Sequence, residues 1–201
     1  MRAAIVDGCM DPKSFVYLHN HSHYSLLEAL PKPKNLVKRA KELGMTAIAL
    51  TDNGSLYGAV EFFKACKDAE MHAIIGMDAF IAPYRMTDRR PRVDERAFRL
   101  VLLAKDDEGY RNLLAITTAG FLEGFYYKPR VDKEFLRAHA KGLIAMTGSV
   151  NNDIASALLS DDIDKAKKLV AEYQEIFGID NFYLEIIHHP DMPRQVEVNE
   201  A

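Results

Sequence analysis

Phe15-Val16-Tyr17-Leu18-His19-Asn20-His21 decides how this chain reads. Four residues of strand-forming character run directly into two histidines separated by one residue. In an extended segment residues i and i+2 face the same way. Both imidazoles can therefore converge on one metal ion or one phosphate. Seven histidines in 201 residues produce such a pair by chance now and then, so its weight depends on what else the fold brings to it.

Working outward, short apolar runs alternate with helical patterns. Residues 15–19 are expected to form a first strand. Residues 33–43 are expected to form a helix burying Leu36, Val37 and Ala40, with Gly44 as its stop. A strand at 46–50 runs into the turn sequence Thr51-Asp52-Asn53-Gly54. A helix follows at 57–69 with Val60, Phe63, Ala65 and Cys66 inward. Strand-like pieces at 73–75 and 79–82 flank Gly76-Met77-Asp78, which reads as a turn. Residues 83–96, rich in Arg, Asp and Pro, read as an exposed, solvated loop. A doubly buried strand at 100–104 precedes a helix capped by Asp106 or Asp107 and reaching Ala119. Asp132 opens a short helix at 131–138, and a strand follows at 143–146. Helices at 152–159 and 162–177 come next, the second opened by Asp161 or Asp162. A last strand is expected at 182–187, then the opening of a helix at 193–201.

Repeated β-then-α units favour a parallel sheet or a (β/α) barrel in the α/β class. No internal repeat or low-complexity tract breaks the pattern. Residues 1–14 are expected to be a tail before one domain at 15–201, whose final helix reads as unfinished and the domain as a fragment of something longer. A barrel without its closing units would leave an open sheet edge, a liability for solubility.

Hydrophobic content of 48% and charged content of 27% describe an ordinary globular chain. A net charge of −3 argues against a surface that binds nucleic acid as a whole. Cys9 and Cys66 have neither disulfide nor metal-ligand spacing, which suits a reducing cytoplasm. Residues 1–11 lack the apolar core of a signal peptide, and no run is long enough to span a bilayer, so no membrane partner is expected.

In (β/α) barrels the chemistry sits on loops after the strands. That rule collects His19, His21, Ser22, His23 and Glu28 after the first strand and Asp52 and Asn53 after the second. It adds Asp78 in the Gly76-Met77-Asp78 turn, Thr147-Gly148-Ser149, and His188-His189 after the last strand. Imidazole with carboxylate is the ligand mixture of zinc, manganese or iron, which activate water for phosphoester hydrolysis. Each member also has an ordinary reading: Asp52 and Asn53 in a turn, Asp78 capping one, His23, His188 and His189 on polar loops. Ser22 and Ser149 sit in no nucleophile elbow, and no Gly-rich phosphate loop is present. The stretch Gly124-Phe125-Tyr126-Tyr127-Lys128-Pro129-Arg130 offers aromatic and basic groups that suit stacking on nucleic acid. The favoured expectation is that its aromatics pack inward while Lys128 and Arg130 stay solvated.

With these residues assembled, the chain resembles the PHP (polymerase and histidinol phosphatase) domain of bacterial replicative DNA polymerase III alpha subunits. The matching stretches begin with Phe15-Val16-Tyr17-Leu18-His19-Asn20-His21-Ser22-His23-Tyr24-Ser25-Leu26-Leu27. They continue through Ala49-Leu50-Thr51-Asp52, Gly58-Ala59-Val60-Glu61-Phe62 and Glu108-Gly109-Tyr110-Arg111-Asn112-Leu113, then residues 123–130, Tyr183-Leu184-Glu185 and Val198-Asn199-Glu200-Ala201. The resemblance implies a distorted, TIM-like (β/α) barrel of PHP type with a multinuclear metal cleft, and in some members a metal-dependent 3′–5′ exonuclease. It implies His19, His21, Glu28, Asp52 and Asp78 as metal positions. It also implies Asn53 and Arg99 where the family has histidines, and Ser149 where it has a cysteine. The family's closing Asp-x-His would lie beyond Ala201. The expectation is a degenerate cleft, with zinc or manganese reduced or absent, and a structural or docking role. The implied partners are the rest of the alpha subunit, the proofreading exonuclease subunit and other replisome subunits, with DNA reached through the full-length protein. Magnesium would belong to the polymerase domain. The alternative is an active metal-dependent phosphoesterase or 3′–5′ exonuclease.

Overall fold

The computed structural model describes residues 15–201, so the expected tail at 1–14, including Cys9, lies outside the described residues. Residues 15–21 form no regular strand, and the backbone bends at His19. Tyr17 and Asn20 carbonyls accept from the Ala49 and Thr51 amides at 2.8 Å each, while the Asn20 side-chain amide donates to the Tyr17 and Ala49 carbonyls. Side-chain bonds thus interleave with the backbone pairing that a strand would require.

Helix α1 (Pro33–Glu42) starts with proline at a first-turn position, where no amide donor is missed, and buries Val37 and Ala40. Strand β1 (Ala47–Leu50) leads to α2 (Ala59–Asp68), which buries Ala59, Phe62 and Cys66. Val60 and Phe63, expected inward, are exposed. Each follows a buried residue by one position, which on a helix rotates it about 100° away from the core-facing stripe. Burial raises the Cys66 thiol to about 11, keeping it an inert apolar filler.

Strand β2 (His72–Ile81) runs unbroken through Gly76-Met77-Asp78, which corrects the expected turn. A Cβ on Gly76 would lie 2.5 Å from the Leu102 carbonyl oxygen. This glycine marks a close approach of two strands, the other meaning of an isolated glycine in a strand. Strand β3 (Phe98–Ala104) returns antiparallel to β2, pairing Asp78 with Val101 and Phe80 with Arg99. β2 and β3 are not joined by a parallel β-α-β unit, because the connection 82–97 contains no helix to carry a crossover.

After α3 (Asp107–Leu122), capped by Asp106 as expected, a hairpin of β4 (Phe125–Tyr126) and β5 (Lys128–Val131) follows. Then come α4 (Lys133–Ala138), β6 (Leu143–Met146), α5 (Asp153–Leu158), α6 (Ile163–Phe177), β7 (Phe182–Tyr183) and α7 (Pro193–Glu200). The expected last strand stops at Tyr183. At Glu185 the backbone amide bonds the Thr147 hydroxyl instead of a neighbouring strand. The sheet order is β4-β5-β2-β3-β6-β7, with β1 also pairing β2. β1 and β5 lie parallel to β2, and β7 parallel to β6. No described helix is long and apolar enough to cross a membrane.

Alternation along the strands divides the core. Met77, Ala79, Ile81, Leu100, Leu102, Leu143 and Ala145 pack outward against Leu113 and Ile116 of α3 and the later helices. The alternate residues Ala49, Val101, Leu103 and Met146, with Ile74 and Ile144, form a smaller inner cluster. Each fully buried leucine or isoleucine contributes roughly 1.5–3 kcal/mol, so the outer layer carries most of the stability. Asp78 and Arg99 have the parity of the inner cluster, which aims both side chains at the concave face.

Arg130 corrects the expectation for the aromatic-basic stretch. Its side chain is fully buried and donates to the backbone carbonyls of Gly124, Met86, Asp88 and Asp94, with Tyr126 stacked at 5.2 Å. Phe125 and Tyr127, expected to pack, are exposed. The guanidinium has five donors in a fixed fork, so it satisfies carbonyls from a loop that has no ladder of its own. The loop 83–96 is thereby pinned rather than free. Asp94 is buried within it and bonds the Arg90 amide and guanidinium.

Replacing Arg130 with Met should destabilise the chain by about 3–5 kcal/mol, because several buried carbonyls lose a charged donor. Chemical denaturation measures this, and limited proteolysis should show cleavage moving into 83–96. Gly109→Ala should cost about 1–3 kcal/mol, since the added Cβ would fall 1.9 Å from the Gly142 carbonyl oxygen. Comparison of denaturation midpoints checks it.

Candidate functional site

β1 continues past its last regular pair so that Asn53 bridges Asp78. The Asp78 amide donates to the Asp52 carbonyl at 3.1 Å, and the Gly54 amide to the Asp78 carbonyl at 2.9 Å. This zips the 51–54 turn onto the middle of β2. The segment 15–21 lies on the other side of the same turn through the Asn20–Thr51 bonds. His19, His21, Asn53 and Asp78 are brought together by backbone pairing and by the Asn20 and Thr51 side chains.

The donor atoms of His19, His21 and Asp78 all lie within 4.8 Å of one another. The His19 Nε2 atom is 3.2 Å from Asp78 Oδ2, and His21 Nε2 is 3.4 Å from the same oxygen. The two imidazoles meet edge to face at 5.1 Å. Arg99 enters from the start of β3 and donates to Asp78 Oδ2 at 2.6 Å and to the Asn53 side-chain oxygen. Its other terminal nitrogen is 3.6 Å from Glu28 Oε2, and Asn53 Nδ2 donates to that oxygen at 2.7 Å. The guanidinium also lies over the Phe80 ring at 4.8 Å.

Burial alone would raise the Asp78 carboxyl. The nearby His19, His21 and Arg99 nitrogens outweigh it and hold Asp78 well below the usual carboxylate range. Burial would likewise lower His19, but Asp78 and Glu185 override it and raise the imidazole to about 9. Glu185 holds His19 Nδ1 at 3.0 Å. Arg99 rises for the corresponding reason: burial opposes its charge, and Asp78 and Glu28 more than restore it.

Other sequence candidates are placed elsewhere. Asp52 is buried, and its oxygens take the Ser22 amide at 2.6 Å and the Ser22 and Ser25 hydroxyls at 2.8 and 2.7 Å. It is spent on shaping the loop after His21 and does not join the three-donor group. Glu28 reaches the cleft only through Arg99 and Asn53. Ser149 gives its carbonyl to the Asn152 side chain in the turn that opens α5. His188 and His189 are exposed in the turn before α7 and make no contact with the cleft groups among the described residues. This corrects their placement, because β7 ends too early to aim them inward. His23 is half-buried beside Tyr24 at 4.3 Å. Sequence reasoning missed Glu185, which carries no motif of its own, and Ser25; it collected Ser22 but not the bond to Asp52, whose spacing from both serines is not local.

A multinuclear metal set does not fit these residues. Three donors converge, and their shared carboxylate oxygen already accepts from Arg99. Three buried atoms in the same cleft, His21 Nε2, Asp78 Oδ1 and Arg99 Nε, have no hydrogen-bond partner among the described residues.

Comparison with known proteins agrees with this architecture. A structure from Bifidobacterium adolescentis described as a metal-dependent phosphoesterase superposes over 92% of this chain and 82% of its own, with a TM-score of 0.52 at 14% identity. That likeness concerns the fold. DNA polymerase III alpha subunits of Deinococcus radiodurans and Thermus aquaticus are each 42% identical, over 96% and 93% of this chain. The alpha subunit of Treponema pallidum is 41% identical over 88%. The chain spans 15–16% of the length of these relatives. The family profile described as the PHP domain matches residues 17–189, and the chain belongs to that family.

Proposed function

We propose that residues 15–201 act as the PHP domain of a replicative DNA polymerase III alpha subunit and that its cleft supports that protein rather than hydrolysing phosphoesters. The observation that carries this reading is the Arg99 guanidinium on Asp78, in the middle of the groups that would otherwise hold an ion. Metal-assisted hydrolysis needs an ion with an open position for water. A fixed guanidinium among the donors opposes that on charge and on space. In this reading the full-length protein polymerises DNA in the cytoplasm, with magnesium held by carboxylates outside these residues. The rest of the alpha subunit, the proofreading exonuclease subunit and other replisome subunits are its partners.

A metal-dependent phosphoesterase or 3′–5′ exonuclease is the second reading. It is favoured by the unpartnered His21 Nε2 and Asp78 Oδ1, and by Glu185 on His19 Nδ1. A carboxylate on the far nitrogen is how ligating imidazoles are commonly oriented. Zinc or manganese suits that donor set; it would polarise a phosphoryl oxygen or lower the pKa of a bound water.

The full chain is incubated with manganese and a 3′-labelled single strand, beside a His19→Ala, His21→Ala double variant. The expected result is equal, background release of nucleotides from both. Release that disappears only in the double variant would establish hydrolysis in the cleft and overturn the supporting role.

A further inference from the structure

Asp78 lies mid-strand on the concave face, almost wholly closed to solvent, and a buried carboxylate must be met by positive or hydrogen-donating groups. Arg99 meets it from the antiparallel neighbour. The β2–β3 register sets Arg99 opposite Phe80 and two pairs away from Asp78 on the same face, so a side chain of that length reaches the carboxylate while resting on the ring. The guanidinium bridges Asp78, Asn53 and Glu28, three groups from three separate segments. A divalent ion among oxygens and imidazoles would make the same kind of links.

We propose that Arg99 is the cleft's own cation: a tethered charge that replaces a bound ion and keeps ions out. This rests on the reading of the cleft as non-hydrolytic and adds what holds it together. Arginine stays charged at any pH the fold survives, so the link cannot be chelated away. Arg99 meets the carboxylate end-on, through one terminal nitrogen and one oxygen, which leaves Asp78 Oδ1 and its own Nε buried without partners. Removing Arg99 would leave His19, His21 and Asp78 as three donors with no guanidinium on the carboxylate. An imidazole at position 99 would add a fourth donor.

The test uses the full chain after exhaustive chelation, as wild type, Arg99→Ala, Arg99→His and a His21→Ala, Arg99→His double variant. Zinc content is measured by equilibrium dialysis, cobalt by its visible ligand-field absorption, and melting temperature with and without zinc. The wild type is expected to hold well below one ion per chain and to melt at the same temperature in either condition. Arg99→His should bind zinc on the order of 100-fold more tightly than the wild type, show a cobalt band, and gain melting temperature with zinc. The double variant should lose all three. Arg99→Ala should melt lower than the wild type and recover partly with zinc. If Arg99→Ala does not fold, the wild-type and Arg99→His arms decide. One ion per wild-type chain, or a zinc-dependent rise in the wild-type melting temperature, would overturn the proposal. So would an Arg99→His chain that binds no more zinc than the wild type. A wild type that binds an ion yet releases no nucleotide overturns this inference alone and leaves the supporting role standing. Nucleotide release that needs His19 and His21 overturns both.

Discussion

A carboxylate set in the middle of a sheet and closed off from water has to be neutralised where it stands, and Asp78 is placed so by the register of β2 with three neighbours. β3 brings Arg99, the turn after β1 brings Asn53, and the segment 15–21 brings His19 and His21. Each of these segments is tied to β1 or β2 by backbone bonds, so the Asp78 charge is the point on which they agree. Glu28 and Glu185 extend the network outward, one through Arg99 and one through His19. If Asp78 lost its partners, three loops would lose a common anchor as well as a charge.

The fold separates this polar work from the work of stability. The outer layer between sheet and helices is apolar and built of two clusters, while the inner cluster is small, with Ile74 and Ile144 only partly buried. A polar cluster can therefore replace apolar contacts on the concave face without costing the domain its main core. Arg130 plays a comparable part on the far side of β2, where it gathers the carbonyls of an irregular loop that the sheet cannot pair. The two arginines thus do different jobs. One neutralises a carboxylate, and the other satisfies backbone oxygen atoms.

The pattern of residues made much of this legible. Apolar periodicity and capping residues located most elements, and Asp106, Asp132, Asn152 and Asp162 each accept an amide at a helix start. Position i, i+2 at His19 and His21 anticipated their convergence, although the segment is bonded through Asn20 rather than as a strand. What escaped was long-range or depended on direction. The rule that functional groups follow strands cannot find Arg99, which lies near the start of an antiparallel strand and meets the cleft for that reason; only its place in the family pattern pointed to it. Gly76 was legible as a break and turned out to be a close approach. Arg130 was read as solvated because a charge in a sequence suggests water, and nothing local announces four carbonyls waiting for it. Asp52 looked like a ligand beside Asn53, yet Ser22 and Ser25 use both its oxygens.

The claim that the Arg99–Asp78 pair organises the cleft is tested most directly by a double-mutant cycle with Arg99→Met and Asp78→Asn, followed by denaturant unfolding of the four proteins. A coupling of about 1–3 kcal/mol is predicted, with each single variant less stable than the wild type and the double variant recovering part of the loss. Additivity to within about 0.5 kcal/mol would mean that the two side chains stabilise the chain independently, and would contradict the account.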